Sequence, residues 1–195
     1  MIAGSSHAGK SSIGQYLTKE HSLAHYELSA LVHKHYENAI KDGTFSGSRD
    51  DFLEYELCKE GNRDFVVKEL LKGYDGYSNI VISGPRFAEE IEALIAHSDW
   101  NILPLYIHSD PKIRLDRYLT FKKEHSLSSE PTESIEISFE EFLRNDMRQA
   151  SWGLAKIATM TELKMFINHD GLGDFLNKVK SHTDSVITRW HFQGY

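Results

Sequence analysis

Close to the start of the chain runs Gly4-Ser5-Ser6-His7-Ala8-Gly9-Lys10-Ser11, which has the spacing G-x-x-x-x-G-K-[ST]. This spacing suits phosphate oxygens held by successive backbone N–H groups at the opening of a helix. Glycine lets the backbone curl around the anion without a side-chain clash. The pattern implies that the backbone of Gly4, Ser5, Ser6, His7, Ala8, Gly9, Lys10, Ser11 and Ser12 cradles a nucleoside triphosphate. Lys10 is expected to reach the β- and γ-phosphates, and the Ser11 hydroxyl to bind Mg²⁺. His7 stands where small residues are commoner and reads as a variant position whose N–H still serves. Such a loop joins a strand to a helix, so residues 1–3 are the end of a first strand and residues 10–20 the first helix. That strand is either very short or continues from residues before Met1.

Periodicity extends the alternation. Strands are expected at 23–28, 79–83, 101–108 and 163–168. Helices are expected at 29–41, 49–60, 62–72, 87–97, 111–123, 138–150 and 171–181. Asp110-Pro111 is a helix-start signal. Residues 125–136 are polar and aperiodic, which predicts a mobile loop. Strands alternating with helices imply parallel pairing with right-handed crossovers. The expected fold is therefore a three-layer α/β domain: a five-stranded parallel sheet, helices on both faces, and a site at the carboxyl ends of the strands.

Composition limits the alternatives. At 195 residues the chain fits one domain spanning 1–195. A formal charge of −7 argues against a general nucleic-acid binder. No apolar run approaches the roughly 18 residues of a membrane span, and the N-terminus does not read as a signal peptide. Cys58 is the one cysteine, which rules out an intrachain disulfide, fits a reducing cytoplasmic setting and reads as a structural thiol. The eleven histidines lack metal-site spacing. The three tryptophans read as packing anchors, and nothing in the pattern sets an oligomeric state.

Further stretches carry a resemblance. They are Leu28-Ser29-Ala30, Arg49 with Glu60-Gly61-Asn62-Arg63, and Ile82-Ser83-Gly84-Pro85-Arg86-Phe87-Ala88-Glu89-Glu90. They continue with Arg144-Asn145-Asp146-Met147-Arg148-Gln149 followed by Trp152-Gly153-Leu154, and then Asn168-His169-Asp170-Gly171. In order and spacing, these resemble the P-loop nucleotide kinases of the nucleoside-monophosphate-kinase-like group. Within it they resemble archaeal proteins related to dephospho-CoA kinase and the kinase-like domain that precedes some deoxycytidylate deaminases. The resemblance implies a P-loop NTPase fold with a lid at about 111–137, ATP and Mg²⁺ as cofactors, and phosphoryl transfer to a small nucleotide-like acceptor.

It also implies roles for the basic residues. Arg114 and Arg117, three apart on one helical face, would act with Lys10 as the catalytic cations on the transferring phosphate. Arg86, at a strand's carboxyl end, and Arg49 would grip the acceptor. Two acids of the resembled pattern are replaced: Ala30 stands where an aspartate usually follows the second strand, and Ser83 where one ends the third. Glu27 and Asp110, at neighbouring strand ends, are the expected substitutes beside Ser11 at the metal, with Asp146 a weaker choice. The same two losses motivate a second reading, a nucleotide-binding pseudo-kinase or regulatory domain. A phosphate-loop switch or motor is disfavoured, since no Asn-Lys-x-Asp guanine signature appears and no acid ends the strand at 79–83.

Overall fold

The computed structural model describes residues 1–59, 61–74, 79–96, 100–126, 137–160, 162–169 and 171–192. Five strands form one sheet: β1 (Ile2–Gly4), β2 (Ala24–Glu27), β3 (Ile80–Ser83), β4 (Leu105–His108) and β5 (Lys164–Ile167). Their order is β2-β3-β1-β4-β5, and every pairing is parallel. The helices are α1 (Lys10–His21), α2 (Leu28–Lys41), α3 (Arg49–Cys58), α4 (Phe65–Lys72), α5 (Ala88–Ile95), α6 (Pro111–Ser126), α7 (Phe139–Gln149), α8 (Ala155–Ala158) and α9 (Leu172–Phe192), with a π-helical turn at Ala150–Leu154.

Alternate residues of each strand point to opposite faces, and the buried clusters follow that rule. Ile2, Val81, Leu105 and Ile107 pack on one face with Ile13 and Leu17 of α1 and Phe175 and Val179 of α9. On the other face Ile82 joins Leu28, Val32, Leu53 and Val67, while Ala3 and Tyr106 join Ala88, Ile91, Leu154 and Ile157. The three-layer arrangement expected from the alternation is thus present. The central strand β1 delivers Gly4 and the phosphate loop to the middle of the carboxyl edge.

Several boundaries differ from expectation. The fourth strand begins at Leu105 rather than 101. Pro104 has no N–H to give the ladder, and pairing starts where Leu105 N bonds Met1 O and Pro104 O accepts from Lys164 N. The last helix runs to Phe192 instead of stopping at 181. Its second half is tied down by Thr183, buried with its hydroxyl on Val179 O, and by Asp184, which meets His21 of α1 at 3.0 Å. Beyond the helix expected at 138–150, the chain continues through the π-turn and α8 to Ala158. Of the expected lid, 111–126 is helix α6, while 127–136 lies outside the described residues, as do Glu60 and Asp170.

Candidate active site

Three residues of the phosphate loop have left-handed φ: Gly4 at 137°, His7 at 59° and Gly9 at 107°. Two of the glycines are also required by space. A Cβ on Gly4 would lie 2.3 Å from Ile107 O, and one on Gly9 would lie 2.6 Å from Asn168 Nδ2. The loop is held from outside by its carbonyls. Ser6 O accepts from Arg114 Nη1 at 3.3 Å, His7 O from Arg117 Nη1 at 3.4 Å, and Ala8 O from Asn168 Nδ2 at 2.8 Å. The Ser6 hydroxyl donates to Gln149 Oε1 at 3.0 Å. The C=O and N–H of a trans peptide point in opposite directions, so these outward carbonyls turn the N–H groups of His7 and Gly9 to the concave side. Lys10, the first residue of α1, extends its ammonium across the loop to Ser5 O at 2.7 Å. Ser11 is exposed in the same helical turn, with Ser12 half-buried beside it.

The electrostatics favour an anion. Burial first, then Arg86 and Arg114, against Glu27 alone, bring Lys10 down from 10.5 to about 7. His7 is likewise lowered by burial, then by Lys10 and Arg114, so its ring is neutral at pH 7. It meets Tyr118 of α6 edge-on at 5.2 Å.

The expected catalytic cations occupy different situations. Arg114 is buried and makes a bidentate pair with Asp146 of α7, at 2.7 Å on the Nη1 side; its Nε donates to Ser109 O at 3.0 Å. With Ser6 O, four of its N–H groups are engaged by protein, so here it braces the loop rather than reaching into the cleft, and Asp146 is its counter-ion rather than a metal ligand. Arg117 is held more loosely. It has bonds of 3.1 to 3.4 Å to Asn168, His7 O and Ser109 Oγ, and no carboxylate partner among the described residues.

After β3, Gly84 turns at φ 90° and leads through Pro85 to Arg86. Glu90 accepts the backbone N–H of Arg86 at 2.6 Å and of Phe87 at 3.1 Å, which opens α5. Burial outweighs these bonds and the Arg86 charge and raises the Glu90 carboxyl to about 7. The Arg86 side chain makes no hydrogen bond or ion pair with a described residue. Burial lowers its hold on its proton, Glu90 raises it, and Arg49 lowers it. Arg49 is exposed at the first position of α3, where Ser48 and Asp51 form a reciprocal N-terminal cap at 3.0 and 3.1 Å.

The acids divide clearly. Glu27 ends β2 opposite Ser83, half-buried, and its charge reaches Lys10. Asp110 opens α6, its Oδ1 accepting Lys112 N at 2.8 Å. Ser83, in the position of the missing aspartate, is hydrogen-bonded to His25 Nε2 at 2.8 Å. The Ser11 hydroxyl and the Glu27 carboxylate could serve Mg²⁺. This suits the ion, which takes one or two carboxylates together with waters and phosphate oxygens.

Several supporting residues were not foreseen as site members: Asn168, Gln149, Glu90 and His25. Asn168 had a signal in its Asn-x-x-Gly turn, and Gln149 in the stretch ending at Trp152-Gly153. Gly153 has φ 141°, and a Cβ there would lie 3.2 Å from both Arg86 O and Phe87 Cδ1, so the glycine lets the π-turn pass over the arginine's backbone. The Gly14 surface receives the His25 ring, 2.2 Å from where a Cβ would be, and nothing local in the sequence announces that contact.

Sheet order and phosphate loop together define the fold of the P-loop kinases. Solved structures agree: a gluconokinase from Sinorhizobium meliloti superposes with a TM-score of 0.59 at 11% identity, covering 100% of this chain and 95% of that one. A shikimate kinase from Bacteroides thetaiotaomicron gives 0.57 at 13% identity, covering 94% and 96%. No protein-family model matches the chain. In sequence it is similar to a UPF0200 protein of Pyrobaculum aerophilum, 27% identical over 161 residues, which is 83% of this chain and 82% of that protein. The expected kinase kinship is thus present as a fold. None of these relatives bears on dephospho-CoA kinase or the deaminase-associated domain. Among the described residues no helix is long and apolar enough to cross a membrane.

Proposed function

We propose that the chain is an ATP- and Mg²⁺-dependent phosphotransferase acting on a small, nucleotide-like acceptor, in the cytoplasm. The observation that carries this reading is the braced loop with Lys10 laid across it and Arg86 bearing on the same ammonium. The loop amides and Lys10 hold the β- and γ-phosphates, Ser11 and Glu27 the metal, and Arg86 with Arg49 the acceptor. Bound magnesium supplies charge neutralisation between the phosphates. Arg114 contributes through the loop it positions. Arg117, held by long neutral hydrogen bonds, is the cation available to follow the charge of the transferring group.

The test is ADP release with Mg²⁺–ATP and a panel of nucleoside monophosphates, nucleosides and dephospho-CoA. Arg117→Ala is expected to lower turnover at least tenfold while leaving ATP affinity within about threefold, because a cation acting on the transition state changes kcat more than binding. Normal turnover in the variant would mean that Arg117 does not act on the transferring group.

A pseudo-kinase is the second reading, favoured by one observation: of the acids considered, Asp110 caps a helix, Asp146 pairs with Arg114, and only Glu27 reaches Lys10. ATP binding with no acceptor-dependent ADP release would support it.

A further inference from the structure

We infer that Arg148 straps α3 to α7, so that filling the phosphate loop steadies α3 as well; this rests on the loop taking a nucleotide and is independent of transfer to any acceptor.

One end of the strap grips α3. The guanidinium of Arg148 reaches three carboxylates of that one helix: Glu54 at 2.8 Å, Asp51 at 3.3 Å and Asp50 at 3.7 Å. Asp50 and Glu54 stand one turn apart, which puts them on one helical face. Trp152 of the π-turn joins them. Its Nε1 donates to the same Glu54 Oε1 at 3.2 Å, and the guanidinium carbon lies 5.4 Å from its ring centre. Asp51 is shared: its other oxygen accepts Ser48 N at 3.0 Å in the cap that opens α3. A single exposed pair contributes little, but several charges converging on one cation form a network that fixes geometry. The inner side of α3 is anchored separately, through buried Phe52 and through Leu53, which clusters with Leu28 and Val32 of α2. The strap therefore decides how the charged side of α3 sits against α7, while the helix itself does not depend on it.

The other end holds the loop. Gln149, the residue after Arg148, takes the Ser6 hydroxyl at 3.0 Å. Asp146 pairs with Arg114, whose Nη1 holds Ser6 O at 3.3 Å. The hydroxyl and the carbonyl of Ser6 are thus both tied to α7, and Ser6 is separated from Glu54 by two adjacent side chains, those of Gln149 and Arg148. A phosphate held by the loop N–H groups fixes the peptides around Ser6. Fixing Ser6 narrows the excursions of α7, and a steadier Arg148 keeps its carboxylates for a larger share of the time. Coupling of this kind acts through reduced fluctuation and needs no displacement of either element. It is also reciprocal, so a steadier α3 favours the filled loop. Because α3 opens at Arg49, the arrival of nucleotide is passed to the turn that carries that residue.

Backbone hydrogen exchange of the full chain is followed by mass spectrometry with and without saturating Mg²⁺–ATP, for the parent and for Arg148→Ala. In the parent, nucleotide should slow exchange in the loop and α1, and in α3 by at least about fivefold. In Arg148→Ala the loop and α1 should be slowed as before, while the effect on α3 falls below about twofold. Salt at about 0.5 M, which screens exposed pairs, should do the same to the parent and change nothing further in the variant. The salt comparison needs no substitution, so it decides the matter even if the variant does not fold. Equal slowing of α3 in parent and variant, or slowing in the parent that salt leaves intact, would overturn the inference. So would a parent in which the loop and α1 are slowed and α3 is not. Each of these results leaves nucleotide binding standing. No slowing of the loop or α1 in the parent would defeat nucleotide binding and the inference with it.

Discussion

Lys10 is the residue on which a phosphate would act most strongly. Its ordinary pKa of 10.5 is depressed to about 7, burial being the largest cause. At pH 8 most of the ligand-free protein therefore carries a neutral amine, and a bound phosphate favours the ammonium. Binding then takes up a proton above pH 7, and ATP affinity falls as pH rises, by at most about tenfold per pH unit. Calorimetry at pH 8 in two buffers of different ionisation enthalpy reads this uptake directly; equal heats would show that Lys10 stays charged throughout. Glu90 has the opposite disposition. Burial, with a smaller push from Asp64, outweighs its backbone bonds and Arg86 and raises it from 4.5 to about 7. Between pH 4.5 and 7 the folded state keeps a proton that the unfolded chain has released, so this group's contribution to stability falls as pH rises across that window. A difference of 7 − 4.5 corresponds to on the order of 3 kcal/mol. Glu90→Gln keeps an acceptor for the two N–H groups and removes the titration. Its stability relative to the parent, measured by urea unfolding, should therefore improve from pH 5 to pH 7.5, and a constant difference would contradict the assignment. The loop's residues were legible because their spacing is fixed by backbone chemistry. Glu90's burial was not, because it depends on α5 packing beneath Arg86.

Among the elements, α7 has the most to do with the loop. One face presents Asp146 to Arg114 and Gln149 to Ser6, and another presents Arg148 to Glu54 and Asp51 of α3 at 2.8 and 3.3 Å. Magnitudes separate the two contacts. Removing the carboxylate from a buried arginine costs about 3 kcal/mol, whereas exposed pairs contribute far less. Asp146→Ala should therefore lower stability by about 3 kcal/mol and weaken ATP binding, while Arg148→Ala should leave stability close to the parent. Equal effects in chemical denaturation would mean that Arg114 is not the loop's brace. The sequence marked 138–150 as a helix from its apolar spacing, and the structure agrees within a residue at each end. What α7 touches was invisible, because Arg114 and Asp146 come together only when two crossovers pack side by side. The same limit explains why Arg114 was expected on the transferring phosphate: its spacing to Arg117 is a property of α6, its partner is not.

For the molecule as a whole, the order of strands and helices was readable because hydrophobic runs bounded by turn residues need no partner to be recognised. The sheet order β2-β3-β1-β4-β5 puts the loop strand between β3 and β4. Glu27, Ser83 and Gly4 thereby share one edge with the turn to Arg86. The charge distribution follows from that placement: a chain of net charge −7 gathers Lys10, Arg86, Arg114 and Arg117 around a single loop. The most direct test is calorimetric titration of the protein with Mg²⁺–ATP, alongside the Lys10→Ala variant. The parent should bind one equivalent, and the variant should lose at least about a hundredfold in affinity, the loss of a charge-assisted phosphate contact of roughly 3 kcal/mol, while keeping its fold. Equal binding by the two proteins, or none by the parent, would contradict the account.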